Sequence, residues 1–169
     1  MKARLALLCL FLVAVCAQAQ TAVYGAFSAS SYNLSHNGWQ YGSTFGLYSQ
    51  PFGAPFVRAG FDLRVALSGS GNETVDSFLA GPRAQLHPHV FPVMPYAEAL
   101  AGLAHVNVSD GVTNSNGNGF VYQFLGGLDI TVLPRVDWRA IEYTWASVHS
   151  PHANFHPQTI SMGIVLRMP

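Results

Sequence analysis

Charge and cysteine are scarce in this 169-residue chain. Only 9% of its residues are charged, and its single lysine and both of its cysteines lie within the first 16 positions. A chain with formal net charge zero and no basic cluster is a poor candidate for binding nucleic acid. It also lacks the roughly one quarter to one third of charged residues that an ordinary soluble surface carries.

The first 19 residues have the pattern of an export signal. Lys2 and Arg4 precede the apolar run LALLCLFLVAV, and Ala17-Gln18-Ala19 has the A-x-A form of a cleavage site. We therefore predict a Sec-type signal peptide over 1–19, which is removed, and one domain over 20–169. Removal takes away both cysteines, which excludes a disulfide or a cysteine metal site. No later stretch has the roughly 20 mainly apolar residues that a transmembrane helix needs.

Strand-like runs separated by turn residues fill the rest of the sequence. We predict eight strands, at about 21–32, 39–49, 55–67, 74–86, 91–106, 120–132, 136–148 and 158–168. Three connections are short and contain proline (QPFGAP, HPH and LPRV), and four are longer and polar (NLSHNG, SGSGNE, NVSDGVTNSNGNG and HSPHANFHP). Short turns at one end, long loops at the other and an even strand number are typical of an outer-membrane barrel.

Charged residues alternate with apolar residues along these strands. Residues at even positions of a strand lie on one face and residues at odd positions lie on the other, and we call this position the parity of a residue. In RAGFDLRVAL, the charged residues Arg58, Asp62 and Arg64 share one parity. The other parity is filled by Ala59, Phe61, Leu63 and Val65. The seventh strand departs from this pattern, because Arg139 and Glu142 have opposite parity. Either one of them lies at a strand end, or a β-bulge shifts the register.

The alternation fits two opposite architectures. A soluble barrel such as a lipocalin has an apolar interior and a polar exterior, whereas a membrane barrel has a polar lumen and an apolar outer wall. The few charges cannot coat an exterior, but near-equal numbers of each sign can neutralise one another inside. We therefore predict an all-β fold, an eight-stranded antiparallel up-and-down transmembrane β-barrel. Its structural lumen network is predicted to contain Arg58, Asp62, Arg64, Arg83, Glu98, Asp129, Arg139 and Glu142.

Aromatic residues are predicted to form two girdles on the outer wall, at the levels of the two membrane interfaces. The loop-side girdle comprises Trp39, Tyr41, Phe120, Tyr122, Tyr143 and Trp145, and the turn-side girdle comprises Phe52, Phe56, Phe91, Tyr96 and Trp138.

Five segments carry a resemblance to a known family: GPRAQL, PYAEALAGLAH, GGLDI, VDWRAIEYTW and SMGIVLRMP. The chain resembles the small eight-stranded outer-membrane β-barrels, the class of the OmpA transmembrane domain, and looks most like compact acidobacterial members. The resemblance covers essentially all of 20–169. It implies a bacterial outer-membrane protein in contact with outer-membrane lipid, lipopolysaccharide and the barrel assembly machinery. The ending Met168-Pro169 departs from the family pattern, in which the last residue is usually aromatic.

The sequence predicts no catalytic residue, cofactor or metal site. His149, His152 and His156 have metal-like spacing but lie in a proline-containing loop. His149, Ser150 and Glu142 supply the residue types of a lipid A-modifying enzyme, but no motif brings them together. We predict an integral outer-membrane barrel with a structural or surface-interaction role and with loops that could bind surface ligands. A secreted lipocalin-like carrier of a hydrophobic ligand is the alternative.

Overall fold

The computed structural model of the chain describes residues 20–31, 39–70, 73–88, 91–109, 114–149 and 154–168. The strands in these residues are β1 (Gln20–Ser31), β2 (Trp39–Gly53), β3 (Val57–Ser70), β4 (Glu73–Leu86), β5 (Val93–Ser109), β6 (Asn114–Leu133), β7 (Val136–His149), β8 (Asn154–Phe155) and β9 (Gln158–Arg167). No helix in this part of the chain is long and apolar enough to cross a membrane.

The strands close into an eight-stranded antiparallel barrel. Each strand pairs with the next from β1 to β7, β7 also pairs with β9, and β9 pairs with β1. The short β8 pairs only with the last two residues of β7, so it lies outside the closed ring of strands. The predicted all-β, up-and-down barrel of eight antiparallel strands is confirmed.

The barrel has its apolar side chains on the outside. On β9, Ile160, Met162, Ile164 and Leu166 are 42–56% exposed, whereas Ser161 on the opposite face is buried. The same inversion holds on β3, where Phe61, Leu63 and Val65 are exposed and Asp62 and Arg64 are buried. Strand alternation thus separates a polar lumen from an apolar outer wall.

Connections of two to six residues join the strands at one end of the barrel. The turn from β6 to β7 has two residues, Pro134 and Arg135. Arg135 has a φ of 74°, the left-handed conformation that two-residue hairpin turns favour. Gln20 and Met168 lie at this same end, which we call the turn end; the opposite end is the loop end.

Two of the four connections that were predicted to be long are short. β3 and β4 pair up to Ser70 and Glu73, and β5 and β6 pair up to Ser109 and Asn114. The prediction of long loops at SGSGNE and NVSDGVTNSNGNG is therefore wrong. The strand ladder is made by backbone groups, so it continues through polar residues that show no hydrophobic alternation.

A bulge in β7 brings Arg139 and Glu142 onto the same face. Asp129 pairs with Arg139 and Leu128 pairs with Ile141, which leaves Ala140 as an extra residue in β7. The side chains of Arg139 and Glu142 are both buried inside the barrel. Of the two explanations that the sequence allowed, the bulge is the one that the structure shows.

The aromatic girdles are present with one exception. The exposed outer-wall members are Trp39, Tyr41, Phe120 and Tyr143 at the loop end and Phe52, Phe56, Phe91 and Trp138 at the turn end. Tyr122 and Trp145 are half-buried because their rings pack against each other. Tyr96 is only 5% exposed and lies in the lumen, so its assignment to the turn-side girdle is wrong. It shares the parity of the inward-facing Glu98, and this parity outweighs its aromatic character.

Candidate functional site

Three arginines and three carboxylates form a closed ring of ion pairs in the lumen. We call these six residues the lumen ring; its members, in order around the ring, are Arg64, Glu98, Arg83, Asp129, Arg139 and Glu142. Each arginine binds two carboxylates and each carboxylate binds two arginines. The ring is therefore electrically neutral when all six groups are ionised, and all six residues are buried.

Arg64 makes the largest set of polar contacts in the ring. Its Nη1 and Nη2 donate to Oε1 and Oε2 of Glu142 at 2.9 Å each, a bidentate pair. Its Nη2 also donates to Oε2 of Glu98 at 3.2 Å, and its Nε donates to the hydroxyl of Tyr24 at 2.9 Å. One side chain from β3 thus joins β5, β7 and β1 across the lumen.

The other two arginines complete the ring. Arg83 donates from Nη1 to Glu98 and from Nη2 to Oδ2 of Asp129, the latter at 2.9 Å. Arg139 donates from Nε to Oδ1 of Asp129 at 3.1 Å and from Nη1 to Oε2 of Glu142 at 3.2 Å. The β7 bulge is what makes this possible, because without it Arg139 and Glu142 would lie on opposite faces of the strand.

Three lumen tyrosines surround the ring, and sequence reasoning missed all of them. The guanidinium of Arg83 lies over the rings of Tyr48 and Tyr96, at 4.1 and 3.9 Å from their centroids. That of Arg139 lies 4.2 Å from the centroid of Tyr24, and the Tyr96 hydroxyl donates to Oε2 of Glu142 at 2.6 Å. The signal that could have revealed them is parity, since each shares the inward parity of its strand.

Glycine makes room for two of these tyrosines. A Cβ at Gly46 would lie 2.4 Å from Cζ of Tyr24, and one at Gly127 would lie 2.6 Å from Cζ of Tyr96. Any larger residue at either position would displace a tyrosine from the ring.

The remaining two predicted lumen residues have different positions. Asp62 is buried and accepts a hydrogen bond from the Tyr24 hydroxyl at 2.9 Å, so it joins the ring through a tyrosine. Arg58 is half-buried at the turn end of β3 and forms no ion pair with any described residue. A separate pair, which sequence reasoning did not propose, joins Arg167 to Asp137 at 3.0 Å near this end.

Side chains also fill the loop-end half of the lumen. An apolar cluster lines β4 to β7 there, with Leu79, Leu100 and Val121 at its centre and Phe155 of β8 packed against it. Hydroxyl and amide side chains such as Thr44, Ser68 and Gln123 line two cavities of about 40 and 30 Å³, each with room for only one or two waters. The interior is thus filled with side chains, as expected for a barrel of eight strands.

The two described residues that were considered for catalysis are not brought together. Glu142 belongs to the lumen ring, whereas His149 is exposed on the outer wall and stacks on Tyr122 with centroids 5.7 Å apart. Ser150 and His152 lie outside the described residues. Among the residues that the structure does describe, no group of three His, Cys, Asp or Glu side chains is placed to hold a metal ion.

No protein-family model matches this sequence, and no curated protein matches it either. Solved structures do match. Neisserial surface protein A (NspA) superimposes with a TM-score of 0.60 at 18% identity, over 89% of this chain and 97% of that one. This chain has the fold of the small outer-membrane β-barrels.

A second structure with this small-barrel fold is Ail, the attachment invasion locus protein of Yersinia pestis. It matches with a TM-score of 0.60 at 10% identity, over 89% of this chain and 97% of that one. Another structure of Ail, in complex with the heparin analogue sucrose octasulfate, matches with a TM-score of 0.53 at 12% identity, with the same coverage of both chains. The predicted resemblance to small eight-stranded outer-membrane barrels is confirmed for the fold.

Proposed function

We propose that this protein is an integral barrel of a bacterial outer membrane, with a structural or surface-interaction role and no catalytic activity. Residues 1–19 are its export signal, the turn end faces the periplasm and the loop end faces outward. The inverted distribution of polarity is the observation that carries this proposal: the lumen ring is inside and the apolar side chains are outside.

The outer wall fits lipid better than water. Soluble proteins rarely expose contiguous apolar patches larger than a few hundred Å². Here every one of the eight barrel strands exposes at least one large apolar side chain. β1 and β5 expose one each, Phe27 and Leu103, and each of the other six strands exposes two or more. The lipocalin-like carrier would require an apolar cavity and a polar exterior. The lumen ring and the exposed wall are the reverse of both, so the carrier is not favoured.

The lumen ring fits a structural role. Every carboxylate in it accepts hydrogen bonds from two arginines, so none is free to act as a base or a nucleophile. The ring ties β3, β4, β5, β6 and β7 together across the lumen. We propose that the lumen network stabilises the barrel and that interaction with other molecules takes place at its outer surface.

The partners proposed for this surface are outer-membrane lipid, lipopolysaccharide and ligands of the loop end. Ail, which has the same fold, is named for attachment and was solved with a heparin analogue; by analogy, the loop end here is the surface to test for ligands. The barrel assembly machinery is a further proposed partner, although the chain ends in Met168-Pro169 rather than in an aromatic residue. The acidobacterial type stays a prediction.

Refolding of 20–169 into detergent tests the membrane proposal. We expect β-type circular dichroism and a band that migrates differently on SDS gels with and without boiling, because a closed barrel resists SDS until heated. A chain that instead folds and stays soluble in plain buffer, with no such band, would contradict a membrane barrel and would return the carrier to consideration.

A further inference from the structure

Permanent positive charge is confined to the lumen and to the turn end. After residue 4 the chain has no lysine and six arginines. Arg64, Arg83 and Arg139 belong to the lumen ring, and Arg58, Arg135 and Arg167 lie at the turn end. Apart from Arg64, which points into the lumen, neither the four loop-end connections nor the adjoining halves of their strands contain a lysine or an arginine.

Histidine is concentrated where arginine and lysine are missing. Five of the seven histidines fall in the sequence of the loop-end connections or of the strand ends next to them: His36, His105, His149, His152 and His156. His105, His149 and His156 are described by the structure, and all three are exposed. Imidazole gains its proton between roughly pH 5 and 8, so the loop end can become cationic only in mild acid.

Two of these histidines lie against aromatic rings on the outer wall. His149 stacks on Tyr122 with centroids 5.7 Å apart, and His156 stacks on Trp145 at 5.7 Å with an interplanar angle of 7°. Tyr122 and Trp145 contact each other at 5.9 Å, and Trp145 also stacks on Phe124 at 6.1 Å. We call these five residues the histidine–aromatic cluster.

The described residues beside this cluster on β6, β8 and β9 are not acidic. The outward neighbours on β6 are Phe120, Tyr122 and Phe124, of which only the Tyr122 phenol titrates, and the facing residues of β8 and β9 are Asn154 and Gln158. No described aspartate or glutamate forms an ion pair with His149 or His156.

A third exposed histidine at this end differs from the other two. His105 lies directly opposite Asp76 on β4, and its Nδ1 is hydrogen-bonded to Oδ1 of Asn118 at 2.8 Å. His105 therefore has a carboxylate beside it, and one of its ring nitrogens is already hydrogen-bonded to another side chain. Neither feature is found for the two described histidines of the cluster. His105 is the natural control for any effect of the cluster.

We propose that the histidine–aromatic cluster binds the anionic, phosphate-bearing headgroup of a membrane lipid in mild acid and releases it near neutral pH. The inference rests on the proposed outer-membrane location, which puts the cluster at the level of the headgroups. Tyr122 and Trp145 are the residue types that favour this interface, and the exposed Phe124 ring extends the cluster toward the acyl chains. One positive charge at a membrane surface enriches an anionic lipid roughly fivefold.

Trp145 provides the reporter for a direct test. A Trp39→Phe/Trp138→Phe variant retains Trp145 as its only tryptophan. It is refolded into phosphatidylcholine vesicles that contain a small fraction of brominated phosphatidylglycerol or the same fraction of brominated phosphatidylcholine. We expect the quenching of Trp145 to indicate roughly fivefold or greater enrichment of the phosphatidylglycerol at pH 5.5 and no enrichment at pH 7.5.

Matched variants separate the cluster from a general effect of charge. His149→Gln/His156→Gln should abolish the enrichment at pH 5.5, whereas His105→Gln should leave it unchanged. Enrichment that is independent of pH, or that survives the double substitution, would overturn the proposal. Free inorganic phosphate should not displace the lipid; displacement would show a site for the soluble ion rather than for a headgroup and would also overturn it.

The same vesicles distinguish this inference from the proposed function. A heat-shifted band on SDS gels reports that the barrel is inserted. An inserted barrel without enrichment at pH 5.5 refutes the lipid site alone, whereas a chain that never inserts refutes the membrane barrel itself.

Discussion

Replacement of Arg64 by leucine is the sharpest test of the lumen ring. The substitution removes the bidentate pair with Glu142, the contact with Glu98 and the hydrogen bond to Tyr24. Leucine is apolar and shorter, so it fills part of the space but supplies no donor. The ring is left with two arginines and three carboxylates, and so with one uncompensated negative charge inside the barrel.

The expected loss in the free energy of unfolding depends on the partners that the carboxylates of Glu142 and Glu98 retain. Removing one partner of a buried ion pair typically costs about 3–5 kcal/mol, because the remaining charge stays buried without compensation. Glu142 retains Arg139 and the Tyr96 hydroxyl, and Glu98 retains Arg83, so we expect the lower end, about 3 kcal/mol. Arg64→Leu/Glu142→Gln restores equal numbers of each charge, and it should recover at least about 1 kcal/mol of that loss.

The assay is urea unfolding of the barrel in detergent or vesicles, followed by the heat-shifted gel band. With a denaturant slope of about 2 kcal/mol per M, the loss corresponds to a midpoint lowered by roughly 1.5 M. Arg58→Leu is the matched control: it lies on the same strand and the same face but forms no ion pair with a described residue. We expect it to change stability by at most about 0.5 kcal/mol. Equal midpoints for the two variants would refute the structural role of the ring.

Two further substitutions and one deletion test the surroundings of the ring in the same unfolding assay. Tyr96→Phe keeps the ring over the arginines but removes the donor to Glu142, and it should cost about 1.5–3 kcal/mol; an unchanged midpoint would show that this hydrogen bond contributes nothing. Gly127→Ala places a Cβ 2.6 Å from Tyr96 and should lower the free energy of unfolding by about 1–3 kcal/mol. Gly126→Ala is the control, because its Cβ meets nothing closer than 3.7 Å and the free energy of unfolding should not fall. Deletion of Ala140 removes the bulge and leaves Arg139 and Glu142 two positions apart, both still facing the lumen, so we expect the heat-shifted band to persist; loss of the band would show that the bulge itself is required.

Parity was the most informative feature of the sequence. It places Arg64, Arg83, Glu98 and Asp129 on inward faces, because a strand has only two faces and each of these four charges falls on the face opposite the large apolar residues of its strand. It could not predict which carboxylate binds which arginine, because that depends on how the strands are staggered around the barrel. Nor could it place Glu142, since one extra residue reverses the parity of everything after it.

The errors have a common physical origin. Tyr96 was assigned to the outer wall because aromatic residues are common at membrane interfaces, although an arginine in the lumen also needs the face of an aromatic ring. The ends of β5 and β6 were assigned to a loop because their asparagines and glycines show no apolar face. Outside the bilayer a strand needs no such face, so its sequence there resembles a loop.

The one-sided distribution of arginine has a consequence for how the barrel enters its membrane. On the proposed orientation, all four loop-end connections must cross the hydrocarbon while the turn end stays behind. A lysine or arginine opposes such a passage by roughly 2–4 kcal/mol at the bilayer midplane. The connections that travel carry none, and the three arginines outside the lumen ring lie at the end that does not move. The energy barrier to insertion is thus lowest when the loop end crosses the bilayer first. The arginines of the turn end then oppose movement of that end across the bilayer.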